Sequence, residues 1–133
     1  MTTPWAIQQA LYATLTGDAP LMALVGGVYD HVPQGADFAY LIIGDDITND
    51  FDDDLNTGLD AELTIHAWGR AHRGRKEVKV IQARVYTLLH RNLFAVAGAN
   101  TIESFVEFQD SFLDADGITH HGVQKVRLVV TTA

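Results

Sequence analysis

Between Gly58 and Leu89 the spacing of apolar residues changes period, and this constrains the fold more than anything else in the chain. Leu59, Ala61, Leu63, Ile65 and Ala67 alternate with Asp60, Glu62, Thr64, His66 and Trp68. A period of two is that of a strand with one face buried and one wet, as in an antiparallel sheet. Gly69-Arg-Ala-His-Arg-Gly74 then interrupts the pattern. From Arg75 to Asn92, Val78, Ile81, Val85, Leu88, Leu89 and Asn92 follow a helical stripe, with Arg75, Lys76, Lys79 and Arg84 mostly on the remaining surface. A strand followed directly by a helix with one apolar stripe predicts that the helix folds back over the apolar face of the sheet.

Both flanks add elements of the same kind. Thr3 is an N-cap, Pro4 suits the first helical position, and Ile7, Ala10, Leu11, Thr14 and Leu15 make a stripe ending at Thr16-Gly17-Asp18. Asp18 caps a second short turn, Ala19 to Val25, which Gly26-Gly27 stops. Val28-Tyr29 reads as short extended chain, and Phe38 to Gly44 as a strand. Ile102, Ser104, Val106 and Phe108 alternate with Glu103, Phe105, Glu107 and Gln109; Asp114-Ala-Asp-Gly117 is a turn with Gly117 placed for a positive φ. Ile118 to Thr132 forms the last strand, with Val126, Leu128 and Val130 inward and a bulge expected near Gly122. The expectation is one α+β domain over 1–133: an antiparallel sheet of about four strands with helices packed on one face.

The 133 residues include no cysteine, which removes disulfides and thiolate metal sites. No apolar run approaches the roughly 18–20 residues of a membrane span, and no secretory signal pattern opens the chain, so synthesis in the cytoplasm is expected. A net charge of −8 argues against a broad basic face gripping nucleic-acid phosphates. The charges are segregated: seven acids fall between Asp45 and Asp60, whereas most basic residues fall between Arg70 and Arg91. Two readings fit, a solvated loop beside a solvated helix face, or complementary patches between copies of the chain.

Asp45 to Thr57 reads as a loop between strands, far longer than a tight hairpin needs. Asp50, Asp52, Asp54 and Asn56 alternate like calcium ligands, but an EF-hand loop counted from Asp50 would need Gly and Glu where Leu55 and Ala61 stand. His31, His66, His72, His90, His120 and His121 contain no His-x-His or His-x-x-x-His spacing, so no metal is expected. There is no nucleophile elbow, phosphate loop or dinucleotide fingerprint, and hence no catalytic residue or cofactor to name. Phe51 and Leu55, isolated among Asp50, Asp52, Asp53 and Asp54, would gain more by docking on a partner than by folding locally. Trp68 on the wet face is either covered by a loop of its own chain or an interface anchor.

The order of features resembles a known family. Ile7-Gln-Gln-Ala-Leu-Tyr-Ala-Thr-Leu15 is followed by Leu21-Met-Ala-Leu-Val-Gly-Gly-Val-Tyr-Asp30, then His31-Val-Pro33, Ala39-Tyr-Leu-Ile-Ile-Gly44 and the strand ending Ile65-His-Ala-Trp68. Nearly the whole chain is similar to the small tail-completion or tail-terminator proteins of long-tailed phages and phage-derived gene transfer agents. Ala39 stands where that family usually has Pro. The resemblance implies a structural virion protein at the head-proximal end of the tail that assembles as a ring, six-fold in the usual case. Such a ring caps the tail tube, ends its polymerisation, joins the head-side connector or stopper, and lets DNA pass without specific binding. No membrane and no cofactor are implied. Read from the segregated charges and isolated apolar side chains rather than from the family, the expected interface residues are Asp50, Phe51, Asp52, Asp53, Asp54, Leu55, Trp68, Arg75, Lys76, Lys79 and Arg84. The competing class is a small soluble ligand-binding or enzyme domain using the open face of the sheet.

Overall fold

A computed structural model describes residues 2–70 and 75–132. The chain forms α1 (Pro4–Thr16), α2 (Ala19–Met22), β1 (Val28–Tyr29), β2 (Tyr40–Asp50), β3 (Gly58–Gly69), α3 (Lys76–Leu89), β4 (Asn100–Leu113) and β5 (His120–Thr131). The strands make one sheet in the order β1-β2-β3-β5-β4, with β1 parallel to β2 and every other pair antiparallel. The fold is therefore α+β, and the fifth strand is the two-residue β1.

The local signals act as their chemistry predicts. Thr3 Oγ1 accepts from the Ala6 amide at 3.1 Å, and Asp18 Oδ2 accepts from the Leu21 amide at 2.9 Å, so each side chain satisfies a donor left over at a helix start. Gly117 takes φ +72 in the β4–β5 turn. There Asp116 accepts from the amides of Ile118 and Thr119 and from the Thr119 hydroxyl.

Ile7, Leu11 and Leu15 of α1 and Val78, Ile81, Val85 and Leu89 of α3 share one apolar core with Leu41 and Ile43 of β2. Ala61, Leu63, Ile65 and Ala67 of β3, and Val126, Leu128 and Val130 of β5, belong to it as well. Both long helices thus cover the same sheet face. The far end of α3 is tied to β4, where the buried Ser104 hydroxyl donates to the Leu89 carbonyl at 2.6 Å and the Arg91 amide donates to the Ser104 carbonyl. Asn92, assigned to the helical stripe, is exposed beyond the helix end.

Three expectations change. Residues 45–50 are not loop: they extend β2, paired with β3 through Asp50↔Leu59, so only residues 51–57 connect the strands. Aspartates depress strand propensity, but on an edge strand they face water. The connection is also hydrogen-bonded. Asp53 Oδ1 accepts from the amides of Leu55 and Asn56 at 2.8 and 2.6 Å, and Asp52 Oδ1 accepts from Gly58 at 3.0 Å.

Phe108 does not follow Val106 into the core. The β4–β5 register shifts between Val106 and Phe108, which turns Phe108 to the open face opposite Lys125. The bulge expected near Gly122 is absent: β5 pairs regularly there with Ala67 and Ser111, and the irregularities lie in β4, between Val106 and Phe108 and between Thr101 and Glu103. Gly122 itself is set by close approach: a Cβ there would stand 2.6 Å from Val78 Cγ1 and 2.5 Å from Gln82 Nε2 of α3. Of the segment Gly69–Gly74, β3 ends at Gly69, and residues 71–74, His72 among them, lie outside the described residues.

Candidate interaction surfaces

The face of the sheet away from the helices divides into an aromatic end and a charged end. Tyr40, Trp68, His121 and Phe112 occupy one register row across β2, β3, β5 and β4. Trp68 stacks on His121 with centroids 3.7 Å apart, and Phe112 meets His121 edge-on at 4.8 Å. His66 Nδ1 and His121 Nε2 lie 2.7 Å apart, so one ring nitrogen carries the proton and the other accepts it. Burial lowers the pKa of both imidazoles; the carboxylate of Asp45 opposes this at His66, and those of Asp114 and Asp110 oppose it at His121, whose value His66 lowers further. Trp68 is half-buried by its own sheet neighbours, between the two positions envisaged from the sequence. Its indole nitrogen is buried with no acceptor among the described residues.

At the charged end Arg127 holds Asp60 in a bidentate pair at 3.0 and 2.7 Å, and Lys125 approaches Glu62 at 3.9 Å. The Arg127 hydrogen bonds lower the pKa of Asp60, and Asp60 raises that of Arg127. Ile47 stands 62% exposed beside this band.

The predicted interface residues fall into separate places. Asp50 ends β2, and Phe51, Asp52, Asp53, Asp54 and Leu55 form the hairpin tip, all exposed, with Leu55 92% accessible. Arg75, Lys76 and Lys79 are exposed at the start of α3 and form no ion pair among the described residues. Arg84 differs. Although expected at the interface with these cations, its guanidinium makes two bonds of 2.7 Å to Asp18 of its own chain. The α2 cap and α3 are brought side by side by the core, 66 residues apart in sequence, which no local spacing reveals. The His66–His121 contact was missed for the same reason. The sequence signal available was only that both sit on wet-face positions of strands.

A further groove of about 470 Å³ runs between α1 and the sheet edge, lined by Trp5, Gln8, Gln9, Tyr12, Asp30 and Ile43. Across the sheet, Lys79, Gln82 and Tyr86 of α3 face Gln109 and Asp110 of β4 over an open polar groove. Among the described residues no three His, Asp or Glu side chains are grouped to hold a metal, and no helix is long and apolar enough to cross a membrane.

These surfaces offer strand edges, exposed rings and segregated charge, the features by which a structural subunit meets other proteins. Residues 9–131 match the tail completion protein gp17 family, and the chain belongs to it. It is 27% identical over 125 residues to tail completion protein gp17 of Bacillus phage SPP1, covering 94% of this chain and 92% of that one. The solved structure of SPP1 gp17 superposes with a TM-score of 0.59 at 27% identity, over 92% of this chain and 87% of that chain. A chain in the virion of a native gene transfer agent particle superposes with a TM-score of 0.84 at 25% identity, over 93% of each chain. By its family the protein is a tail component of the virion.

Proposed function

We propose that this protein assembles as a six-membered ring that caps the tail tube, stops its polymerisation and provides the joint to the head-side connector. The observation that carries this reading is the likeness to a chain of an assembled gene transfer agent virion along 93% of both chains, with a TM-score of 0.84. The surfaces are compatible with it. A closed ring is built from head-to-tail contacts, so each copy must present two different, complementary patches. The exposed hairpin tip carries Asp50, Asp52, Asp53 and Asp54 around Phe51 and Leu55, and Arg75, Lys76 and Lys79 stand exposed on α3. In the ring, the acidic tip of one copy lies near the basic helix start of the next, and Phe51 and Leu55 supply the apolar anchor. Such rim charges set orientation more than affinity and weaken with salt. Trp68, on the open face, belongs to the contact with tube or connector. A channel lined with carboxylates repels phosphate, so DNA slides through without being held.

The test is a particle lacking this protein, complemented with the wild type or with Asp50→Asn/Asp54→Asn, two carboxylates that make no turn hydrogen bond. Loss of the protein gives tails of uncontrolled length without heads, and the double variant restores termination less well than wild type at low salt, a difference that shrinks as salt rises. Normal tail length and head attachment in its absence would sink the capping role. Full rescue by the variant at every salt concentration would remove the charge pairing alone.

A further inference from the structure

We infer that the free edge of β2, together with the groove beneath α1, is a docking site for an extended segment of another protein, one that alternates basic and apolar residues and adds to the sheet as a strand.

The geometry begins with the shortness of β1. It pairs with β2 only at Val28↔Leu41 and Tyr29↔Ile42, and then the chain turns away. β2 continues to Asp50 with β3 on one side and, among the described residues, no strand on the other. The Leu41 amide points to β1, donating to Gly27, and the Phe51 amide points to β3, donating to Gly58. Alternation from these two fixed points, with the irregularity between Ile43 and Asp46 taken into account, directs the N–H and C=O groups of Ile43, Asp46, Thr48 and Asp50 outward. They form a row of main-chain donors and acceptors of the kind an added strand uses.

α1 borders this row. Ile43 and Asp30 share the 470 Å³ groove with Trp5 and Tyr12, and Thr2, just before the helix, shares a smaller cavity with Asp50. Trp5 and Tyr12, two helical turns apart, are 60% and 48% exposed. Aspartates on an edge commonly serve to prevent self-pairing, but that purpose has no use for two large rings placed alongside.

The charge selects the occupant. The first Lys or Arg of the sequence is Arg70, so α1, β1, β2 and the hairpin tip contain neither, while β2, the tip and the loop after β1 carry carboxylates. Asp30, Asp45, Asp46 and Asp50 flank the groove or its edge, all exposed. A second copy fits poorly. Its long free edge is β4, which carries Glu103, Glu107 and Asp110 and likewise no Lys or Arg. Two acidic edges brought side by side repel. A segment with Lys or Arg at alternate positions places them on the helix side, against Asp30, Asp46 and Asp50 and along the rings of Trp5 and Tyr12, while its apolar positions lie on the open face beside Ile47. This assignment stands on the edge, groove and charge, and does not depend on the ring or its position on the tail.

The experiment uses the full chain and a synthetic peptide of about seven residues alternating valine with lysine, against a control with glutamate in place of lysine. The lysine peptide should slow amide hydrogen exchange at Asp46, Thr48 and Asp50 by about tenfold or more at saturation, and the glutamate peptide should not. Trp5→Ala/Tyr12→Ala should weaken binding by about tenfold. Thr48→Pro removes one outward donor at an edge position that tolerates proline, and should abolish protection while the melting profile shows the fold retained. Absence of protection by the lysine peptide at millimolar concentration, or equal protection by both peptides, overturns the inference. So does concentration-dependent protection of these amides in the protein alone with a matching rise in sedimenting mass, which would make the occupant a second copy.

Discussion

Trp68 and His121 lie opposite each other on β3 and β5 and stack with centroids 3.7 Å apart and planes 12° from parallel. The same His121 ring makes its nitrogen contact with His66, so the aromatic row and the imidazole pair share one residue. The row is stable in the form where the two imidazoles hold one proton between them. A second proton would set two N–H groups against each other.

Stability should therefore fall with acidity in a definite window. Both histidines have folded pKa values below the ordinary 6.5. Below 6.5 the unfolded chain binds protons that the folded chain does not, so their contribution is complete above 6.5 and is lost as pH falls toward the folded values. Melting temperature measured between pH 7 and 5 should decline in wild type and decline less in His121→Phe, which keeps the ring and removes the nitrogen pair. An unchanged slope in that variant would assign the pH dependence elsewhere.

Gly122→Ala should destabilise the fold by about 1–3 kcal/mol, because the added methyl drives against Val78 and Gln82 where α3 crosses β5. Denaturant unfolding measures it. Pairing with Val78→Ala should recover part of the loss, a result that a cause confined to the strand backbone would not give.

Leu63→Ala should cost about 2–5 kcal/mol, since Leu63 is 3% exposed on the core face of β3. A loss under about 1 kcal/mol in the same unfolding experiment would be incompatible with that burial.

The Asp18–Arg84 pair should show coupling in a double-mutant cycle of Asp18→Asn and Arg84→Gln. Two hydrogen bonds join side chains that are 13% and 33% exposed. The Arg84 hydrogen bond is the largest cause of the lowered Asp18 pKa. The resulting stability is present above the carboxylate's unfolded value and is lost as pH falls through the folded one. Additive single effects would show the pair to be idle.

At the hairpin tip, Asp53→Ala should speed amide exchange at Leu55 and Asn56 by about tenfold, because it removes the oxygen both amides donate to. Asp54→Ala should leave those rates unchanged. Equal effects from the two would mean that charge, not the turn bonds, holds the tip.

The parts of the fold legible in the sequence were those recorded by neighbours along the chain. The alternation from Leu59 to Trp68 and the stripe Val78, Ile81, Val85 and Leu89 set which face of β3 and α3 is buried, and the structure buries those faces. Thr3, Asp18 and Gly117 fixed two helix starts and a turn, since capping and positive φ are satisfied within a few residues. The family was legible too, as an order of short motifs spanning the chain.

The tertiary structure alone decided what depends on partners far away. Residues 45–50 became strand because β3 supplied their hydrogen bonds, against the propensity of their aspartates. Phe108 reached the open face because one shift in register reverses every side chain beyond it. Arg84 met Asp18, and His66 met His121, across 66 and 55 residues of chain. Periodicity and capping are properties of adjacent residues and are written in sequence order. Cross-strand pairs, helix crossings and free edges arise only when the core has brought distant segments together, and the surfaces through which this protein meets its partners are made of those.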